Sequence, residues 1–449
     1  MLVDARSGAA LCGAGLDGAV DAAAAELAAR PPGLLVLFAR RDLVSVLRYL
    51  AALRTSRPVL LADPEQSPAA VAELVRCHEP ALALGPPDGI GTPAGYERDG
   101  DGWTRRTPMP HRPHPDLAVL LATSGTTGSP RLVRLSGRGL RANALGITEA
   151  LHIGPDEVSL TGLPLFYGYG LAVLNTHLLA GATLVVTPDS PVSAGFWRDT
   201  DRYRATAFGA VPATYEMLTR LHWDPLAHPA LRSLTQAGGR LRPPLARELG
   251  GRMRGAGRTG LYVMYGQTEA TARMSVLPAD RLDELAGSVG AALPGTRFTI
   301  DSNDQVVFHG PNVMMGYAHT AADLARGDDL GGVLGTGDRG RLDDEGHLFL
   351  TGRNSRLGKV RGIRVDLDSV EQLMAALDPA LRCAVAAVCD GERLTVWCEA
   401  DVAAADWAAL SARLSERLRL SPRSCAVRPL SPLPLLATGK VDYRALEAT

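Results

Sequence analysis

Hydroxyl side chains and glycines follow one another in TSGTTGSPR, from Thr123 to Arg131, directly after an apolar stretch. A loop of this composition can turn successive backbone N–H groups and hydroxyls toward a bound anion. It is not a Walker loop, because G-x-x-x-x-G-K-[ST] is absent and Pro130 removes a donor from any following helix. Taken alone, the segment fits a phosphate site and an ordinary turn about equally well.

A second glycine-rich segment, GTGDRG at 335–340, matches the dinucleotide-binding pattern G-x-G-x-x-G. That pattern binds a pyrophosphate only where the loop opens a helix. Here RLDDEGHLFL follows, in which two short strand segments flank Asp-Glu-Gly. We therefore expect a β-hairpin over 341–353 and no dinucleotide site.

The elements that would position these loops alternate as in a parallel α/β sheet. An apolar run at 34–38, a helical pattern at 42–53 and a second apolar run at 58–63 form one strand–helix–strand unit. Residues 85–115 are rich in glycine, proline and charge, which predicts a surface connection. Further strands are predicted at 117–125, 182–188, 206–212 and 261–266.

The pattern changes after about residue 285 to short strands and tight turns. Helices are predicted from Val370 and over 406–418, with strands at 383–388 and 393–400 between them. A chain of 449 residues exceeds the roughly 250–300 that one core can serve, so at least two domains are expected. We place the boundary near Arg353, giving a large domain of residues 1–353 and a small α+β domain of residues 354–449.

Composition excludes several classes of protein. The formal net charge of −1 leaves no basic excess for a nucleic-acid backbone, so we expect no nucleic-acid partner. No apolar run reaches the ~20 residues of a membrane span, and the N-terminus has no secretory h-region. The six cysteines show no C-x-x-C spacing and the histidines no H-E-x-x-H spacing. These features predict a cytoplasmic protein without a zinc site.

Eight segments, taken together, resolve the ambiguity of the first loop. They are TSGTTGSPRLVRLS (123–136), LPLFYGYGLAVLNTHLLAGATLVV (163–186), AGGRL (237–241), YGQTEAT (265–271), GPNVMMGY (310–317), TGD (336–338), GRNSRLGKVRGIRV (352–365) and ATGKVDYRAL (437–446). This order resembles the adenylate-forming superfamily of acyl-CoA synthetases, stand-alone adenylation domains and luciferase-like enzymes. The resemblance implies an α/β fold: a large N-terminal domain of sheets sandwiched by helices, joined by a hinge to a mobile α+β C-terminal domain.

The resemblance also implies attack of a carboxylate on the α-phosphate of ATP, with pyrophosphate leaving. Positioning and charge neutralisation do most of the work in such a reaction. The first loop would hold the β- and γ-phosphates, and the glycines of AGGRL would contact the nucleotide. The residues implied are Thr123, Ser124, Gly125, Thr126, Thr127, Gly128, Gly238 and Gly239.

Later motifs complete the implied nucleotide site. Glu269 would bind Mg²⁺, which prefers carboxylate oxygen, although a loop acid without this context is more often simply solvated. Tyr265 would stack on adenine and Thr268 would contact the α-phosphate. Asp338, aided by Arg353, would accept hydrogen bonds from both ribose hydroxyls, because a carboxylate offers only acceptors.

The C-terminal motifs imply two successive roles for the small domain. Lys440 would be the catalytic lysine that bridges the carboxylate and the α-phosphate, although a lone lysine near a chain end is usually a surface charge. After adenylation the domain would rotate about a hinge at Ser355, bringing the loop from Lys359 to Gly362 to the nucleotide. Gly362 would let a pantetheine arm pass close to the backbone.

Four features depart from the family pattern. Arg131 replaces the usual lysine and keeps its charge, whereas Ser355 replaces the usual Asp or Lys of the hinge. Tyr167 stands where a histidine is common, and it could line the acid pocket, gate it or belong to the core. The region before residue 35 is shorter than usual.

Acid specificity is expected from the ends of several strands. The residues singled out are Tyr167, Gly168, Gly170, Phe208, Gly209, Gln236 and Met264. Their glycines, with Ala210, predict room for an apolar or aryl group. The Asp of the FDxS segment in amino-acid-activating relatives is absent, which favours a fatty or aromatic acid without an α-amino group.

The acyl acceptor is expected to come from outside this sequence, because no phosphopantetheine-serine motif follows Lys440. CoA or a separate carrier protein would supply the thiol. Two alternatives remain open: a stand-alone adenylating enzyme with a nitrogen nucleophile, forming an amide or N–N bond, and a nucleotide-binding relative without catalysis. The joint presence of Glu269, Asp338, Arg353 and Lys440 favours a working enzyme.

Overall fold

The computed structural model describes most of the chain. The described ranges are 1–123, 131–353, 356–361, 363–377, 385–399, 406–418, 420–436 and 439–447. Of the predicted site residues, Ser124–Gly128, Ser355 and Gly362 lie outside these ranges.

The strands of the described ranges are, in chain order, β1 (Leu2–Asp4), β2 (Ala10–Leu11), β3 (Leu35–Phe38), β4 (Val59–Ala62), β5 (Leu82–Leu84), β6 (Tyr96–Asp99), β7 (Gly102–Arg105), β8 (Leu117–Thr123), β9 (Arg131–Ser136), β10 (Val158–Leu160), β11 (Thr183–Val186), β12 (Ala207–Ala210), β13 (Ser233–Gln236), β14 (Gly260–Tyr265), β15 (Ser275–Leu277), β16 (Ala291–Ala292), β17 (Arg297–Ile300), β18 (Gln305–His309), β19 (Gly316–Ala318), β20 (Val333–Leu342), β21 (Leu348–Arg353), β22 (Leu357–Val360), β23 (Ile363–Asp366), β24 (Val385–Cys389), β25 (Leu394–Cys398) and β26 (Cys425–Pro429).

The helices are α1 (Gly13–Ala28), α2 (Leu43–Arg54), α3 (Pro68–His78), α4 (Gly137–Leu151), α5 (Gly168–Leu179), α6 (Ala194–Arg202), α7 (Pro212–Arg220), α8 (Pro243–Gly255), α9 (Leu367–Leu377), α10 (Trp407–Leu418) and α11 (Tyr443–Glu447). Several begin at a side-chain cap, as the sequence requires. Asp42 accepts the backbone N–H of Ser45 at 2.7 Å before α2, and Ser136 accepts that of Gly139 at 3.0 Å before α4.

Two large sheets carry the fold. One has nine strands in the order β16-β15-β14-β13-β12-β10-β11-β1-β2, and the other has eight in the order β19-β9-β8-β4-β3-β5-β7-β6. A buried apolar cluster joins them, with Leu37 and Leu121 from the eight-stranded sheet, Leu184 from the nine-stranded sheet, and Val46 and Leu171 from helices α2 and α5. Helices thus pack between the sheets, and the predicted α/β fold class is confirmed.

The parallel pairing of the central strands sets where a site can form. Strands β12, β13 and β14 are parallel neighbours, with Ala210 opposite Gln236 and Gln236 opposite Val263. Their carboxyl ends therefore reach one edge of the sheet together. In open parallel sheets this edge is where ligands bind.

The predicted surface connection at 85–115 is partly wrong. It contains the hairpin of β6 and β7, which adds to the eight-stranded sheet by antiparallel pairing of β7 with β5. Trp103 is fully buried there. A Cβ on Gly102 would collide with the carbonyl of Ala83, so the glycine that signalled a loop serves close strand approach.

The hairpin prediction at 341–353 is confirmed. Strands β20 and β21 pair antiparallel around a turn at 343–347, within a four-stranded sheet of order β17-β18-β20-β21. The segment GTGDRG lies inside β20 and opens no helix, as expected. The register sets Asp338 opposite Arg353, which bears on the site below.

The described residues after Arg356 form sheets of their own. Strands β22 and β23 pair with each other, and β24, β25 and β26 form a three-stranded sheet. A buried cluster including Val360, Met374, Val396 and Leu414 joins these strands to α9 and α10. The division of the chain near residue 353 stays a prediction. In the described ranges, no helix is long and apolar enough to cross a bilayer.

Candidate active site

Asp338 is a buried carboxylate surrounded by protein donors. Its side chain accepts hydrogen bonds from the Tyr265 hydroxyl, from Gln267 Nε2 at 2.7 Å and from Arg353 Nε at 2.7 Å. The residue is only 3% exposed. The first two donors bind Oδ2 and the arginine binds Oδ1. The carboxylate is therefore held in a fixed orientation.

Tyr265 ends β14 and is itself buried. Its ring packs against Phe298, with 6.2 Å between ring centroids. Burial and the neighbouring Asp338 carboxylate raise the pKa of Tyr265 well above its usual value. The hydroxyl thus stays protonated and donates to Asp338. Stacking of this ring on adenine stays a prediction.

Glu269 lies in a short 3-10 turn, Thr268–Ala270, just beyond β14. The Tyr317 hydroxyl donates to Glu269 Oε1 at 2.9 Å, and the Arg131 guanidinium lies 5.4 Å from the Tyr317 ring centroid. The arginine that replaces the usual lysine thus reaches the surroundings of Glu269. Burial, and then Glu269, raise the pKa of Tyr317, so its hydroxyl remains a donor.

The surroundings of Glu269 fit a magnesium ion that is coordinated partly by this carboxylate and partly by substrate phosphates. Tyr317 binds one carboxylate oxygen, and no hydrogen bond to the other occurs among the described residues. The described ranges also contain no cluster of three or more His, Cys, Asp or Glu side chains that could hold a metal. Mg²⁺ typically uses one or two protein carboxylates and completes its shell with water and substrate phosphate.

Lys440 reaches the same cleft from the C-terminal part of the chain. Its Nζ lies 5.6 Å from the centroid of the Tyr167 ring. The tight turn before it is closed by the Leu436 N–H donating to the Lys440 carbonyl at 2.8 Å, and Gly439 there has φ +75°. The structure thus brings Lys440 to the predicted acid pocket; Ala437 and Thr438 lie outside the described residues.

The charge environment of Lys440 is unusual for a side chain with substantial exposed surface. Surrounding protein atoms desolvate the ammonium and, with the Arg353 guanidinium, lower its pKa, while Glu269 and Asp338 act in the opposite direction. Within the described residues, the ammonium has no hydrogen bond or ion pair. Among the described residues it is therefore a cation beside the Tyr167 ring that two carboxylates influence from a distance and none contacts.

Tyr167, in the position often held by histidine, separates Lys440 from the interior. It is the residue before α5, its ring is buried, and it meets the Tyr169 ring edge-on with 6.5 Å between centroids. Burial raises its pKa to about 12, so the hydroxyl is neutral. A Cβ on Gly238 would collide with this hydroxyl, and Gly238 has φ +85°, so this position requires glycine.

The room predicted at two glycines is absent. A Cβ on Gly170 would collide with the Pro164 carbonyl. One on Gly209 would lie 2.9 Å from both the Tyr169 hydroxyl and Thr235 Oγ1. The space that a side chain would occupy at Gly170 is thus filled by backbone, and the space at Gly209 is filled by Tyr169 and Thr235. At Gly168 the nearest atom to such a Cβ is that of Ala272, at 3.3 Å, so little space remains there either.

Phe208 also lies apart from the predicted acid pocket. It packs against Trp197, with centroids 5.0 Å apart, and against Tyr215 at 5.7 Å. Successive strand residues point to opposite faces, so Phe208 and Gly209 cannot line the same side of β12. The Phe208 side chain thus lies in an aromatic cluster, and its role in substrate binding stays a prediction.

The structure also places four more of the predicted residues. Gln236, at the end of β13, donates from Nε2 to the Gly239 carbonyl at 2.7 Å and so holds the AGGRL turn. Met264 is buried in the cluster that contains Tyr167 and Tyr169. Thr123 Oγ1 donates to the Arg131 carbonyl at 3.4 Å, across the base of the first loop. Lys359 lies in β22, and its role in a thiol channel stays a prediction.

Arg273 is a cleft residue that the sequence analysis missed. It is 2% exposed, and its guanidinium lies 4.5 Å from the centroid of the Tyr169 ring. It lies two residues beyond the YGQTEAT motif and belongs to no pattern of its own. No sequence signal separates it from the other arginines of the chain.

A larger opening lies away from these residues. A cavity of about 1300 Å³ is bordered by Arg57, Arg138, Arg141, Arg297 and His309, among others, and includes none of the predicted site residues. This cavity is large, but Glu269, Asp338 and Lys440 lie outside it, so we do not assign the reaction to it.

Comparison with known proteins places this geometry in a family. A model of the AMP-binding enzyme family matches residues 14–318. The chain is 29% identical over 354 residues to a sulfoacetate–CoA ligase of Cupriavidus necator, covering 75% of this chain and 68% of that protein. It is 33% identical over 305 residues to an indoleacetate–CoA ligase of Aromatoleum aromaticum, covering 64% of this chain and 57% of that protein.

A solved structure extends the match to the C-terminal part. O-succinylbenzoate CoA synthetase (MenE) of Bacillus subtilis, in complex with its acyl-adenylate intermediate, superposes with a TM-score of 0.77 over 99% of this chain and 94% of that one. The two are 21% identical, so this likeness concerns the fold. The family match itself spans more than half of the sequence, and the predicted resemblance is confirmed: the chain belongs to the family of AMP-binding enzymes.

Proposed function

We propose that this chain is an AMP-forming acid–thiol ligase. It would activate a carboxylic acid as its acyl-adenylate with ATP and Mg²⁺, release pyrophosphate, and pass the acyl group to a thiol. The observation that carries the proposal is the position of Lys440, whose Nζ lies 5.6 Å from the centroid of the Tyr167 ring and close enough to Glu269 and Asp338 for their charges to act on it. The acid–CoA ligases among the relatives support the same activity.

The first half-reaction brings anions together. A carboxylate oxygen attacks the α-phosphorus of ATP, an O–P bond forms, and the bond from that phosphorus to the pyrophosphate oxygen breaks. No proton transfer is needed for balance. The Lys440 ammonium, which has no hydrogen bond or ion pair in the described part of the chain, would lie between the carboxylate and the α-phosphate and stabilise the developing charge.

The nucleotide would be held by groups around the same cleft. Mg²⁺ bound through Glu269 would neutralise phosphate charge. A carboxylate oxygen accepts about two hydrogen bonds, so Asp338 Oδ2 is filled by protein donors and Oδ1 keeps one position. We therefore propose that Asp338 accepts one ribose hydroxyl rather than two.

The acceptor is proposed to be a thiol, from CoA or from a separate carrier protein. The relatives named as CoA ligases support CoA as the first choice. The pose for thiol transfer would involve Ser355, Lys359 and Gly362, of which Ser355 and Gly362 lie outside the described residues. A cytoplasmic location and the absence of nucleic-acid partners stay predictions.

A pyrophosphate-release screen tests the proposal. The chain is incubated with ATP and Mg²⁺ and with fatty, aryl, dicarboxylic and amino acids in turn, and acid-dependent release is measured. CoA, a phosphopantetheinylated carrier protein or an amine is then added, and acceptor-dependent AMP release identifies the nucleophile. We expect release with a non-amino acid and acceleration by a thiol. ATP binding without acid-dependent release would refute catalysis, and acceleration by amines alone would refute the thiol acceptor.

A further inference from the structure

Arg273 is a buried cation without a counter-charge. At 2% exposure it is removed from water, and its side chain makes no hydrogen bond or ion pair with any described residue. Its Nε is a buried donor without a partner. Burial of a guanidinium in this state is unfavourable, and native structures normally supply an anion for it.

The surroundings of Arg273 do not offset its charge. Burial lowers its pKa, and the groups that act against this are the hydroxyls of Tyr169 and Tyr167 rather than a carboxylate. The Tyr167 hydroxyl has a pKa of about 12 and is neutral at physiological pH. An arginine keeps its proton under such conditions, so the charge remains. The face of Tyr169 offsets part of the cost through a cation–π contact but accepts no strong hydrogen bond.

Hydrogen bonds fix the backbone around Arg273, whereas its guanidinium has no hydrogen bond among the described residues. Thr271 and Ala272 have φ values of 55° and 85°, a left-handed conformation that costs energy for residues other than glycine. Thr271 Oγ1 donates to the Asn312 carbonyl at 2.6 Å, and Asn143 Nδ2 donates to the Arg273 carbonyl at 2.7 Å. The fold therefore maintains a strained backbone that holds this arginine beside the two tyrosines.

Lys440 and Arg273 each face one ring of an aromatic pair. Lys440 Nζ faces the Tyr167 ring at 5.6 Å, and the Arg273 guanidinium faces the Tyr169 ring at 4.5 Å. The two rings meet edge-on at 6.5 Å. If Lys440 receives the reacting carboxylate beside the Tyr167 ring, an acid that reaches from there to the Tyr169 ring would meet the Arg273 guanidinium.

We propose that Arg273 binds a second anionic group of the acid substrate, so that the enzyme prefers acids with a carboxylate or another anion at the end away from the reacting carboxyl. This inference rests on the proposed function and narrows its substrate class. A fatty or simple aryl acid would leave the guanidinium buried and unpaired. A dianionic acid supplies the missing counter-charge.

The test compares acids that differ only in the second charge. Succinate, glutarate and terephthalate are each assayed against their monoamides for pyrophosphate release with ATP and Mg²⁺. We expect kcat/KM to favour at least one diacid over its monoamide by on the order of 10²-fold, since a buried charge left without its partner is rejected strongly. Arg273→Met should lower that ratio to below about tenfold, and Arg273→Lys should restore part of it.

Controls separate a binding role from a structural one. Arg297→Met removes an exposed arginine that borders the separate cavity, and it should leave the ratio unchanged. Calorimetric titration of the folded Arg273→Met protein with glutarate and glutaramate gives a readout that does not depend on turnover. Loss of the charge preference in this titration supports the inference.

Four outcomes would overturn the inference. Equal turnover of diacids and monoamides by the unaltered enzyme removes the preference. An equal fall for both acids in Arg273→Met assigns the residue to structure. Release of pyrophosphate with monoanionic acids alone refutes the role of Arg273 and leaves the proposed function standing, whereas silence with every acid refutes both.

Discussion

Two buried charges near the same cleft are treated in opposite ways. Asp338, on β20, is held by three side-chain donors from three elements. Arg273, beyond the turn that follows β14, has no side-chain partner among the described residues, and Lys440 shares this state at the mouth of the cleft. The anion thus has several protein donors, whereas neither cation has a hydrogen bond or ion pair among the described residues.

This difference follows the charges of the expected substrates. ATP and an acid bring negative charge, so cations without protein partners gain interactions when substrates bind. An anion left unpaired would repel them, and the hydrogen bonds from Tyr265, Gln267 and Arg353 hold Asp338 in place. Preorganised cations of this kind stabilise charge without rearrangement during the reaction. The partnered side, Asp338 with its three donors, should therefore mainly determine stability. The unpartnered side, Lys440 and Arg273, should mainly determine rate and selectivity.

The largest expected effect is on rate at the unpartnered side. Lys440→Ala should lower acid-dependent pyrophosphate exchange by roughly 10²–10³, the scale of losing one preorganised stabilising group. Its midpoint of urea unfolding should barely change, because the ammonium has no partner to lose. Arg423→Ala, an exposed cation of the same C-terminal part, serves as the control. Near-normal exchange in Lys440→Ala would remove the lysine from the mechanism.

On the partnered side the main effect should be on stability. Asp338→Ala leaves the buried Tyr265 hydroxyl without its acceptor and removes one acceptor of Gln267, so unfolding should cost about 2–3 kcal/mol less. Asp338→Asn keeps a carbonyl oxygen and should lose less. Urea denaturation of both variants measures this. A fully stable alanine variant would mean that the three donors contribute nothing to the fold.

The pH dependence of activity should reflect Lys440 on the unpartnered side. The Lys440 ammonium is the form proposed to act, and desolvation lowers its pKa from the usual 10.5. Activity should therefore decline at a lower alkaline pH than an unperturbed lysine would give, by up to about tenfold per pH unit above the lowered pKa. A pH profile of kcat/KM in the unaltered enzyme measures it. A flat profile up to the usual lysine range would contradict the shift.

A smaller effect is expected from a single donor to Asp338. Tyr265→Phe removes one hydrogen bond and keeps the ring against Phe298, so stability should fall by about 1 kcal/mol. The variant keeps two of the three side-chain donors. A loss as large as that of Asp338→Ala would show that the tyrosine alone holds the carboxylate.

The smallest expected effect on stability is at Arg273. Replacing a buried charge that has no partner with a hydrophobic side chain of similar length is often neutral or stabilising. Arg273→Met should therefore leave the free energy of unfolding within about 1 kcal/mol or raise it. Urea unfolding beside Asp338→Ala gives the direct comparison. Strong destabilisation would indicate that the cation–π contact with Tyr169 is structural.

Sequence reasoning reached much of the fold. The strand–helix–strand unit at 34–63 and the hairpin at 341–353 were predicted from periodicity and turn composition, which depend on neighbouring residues. The hairpin at Tyr96–Arg105 was missed, because the glycines that suggested a loop allow close contact between strands. Strand spacing alone does not reveal which face of β12 meets a ligand, so the assignment of Phe208 to the acid pocket stays a prediction.

The order of motifs by itself determined the family, since eight matched segments in one sequence leave little choice of architecture. It also identified Glu269, Asp338 and Lys440 as residues to examine. Only the tertiary structure decided which charges are satisfied, because the donors to Asp338 come from strands distant in sequence and the absence of an acid near Arg273 is a property of the folded interior. Burial and counter-charge arise from residues far apart along the chain, so no local pattern encodes them.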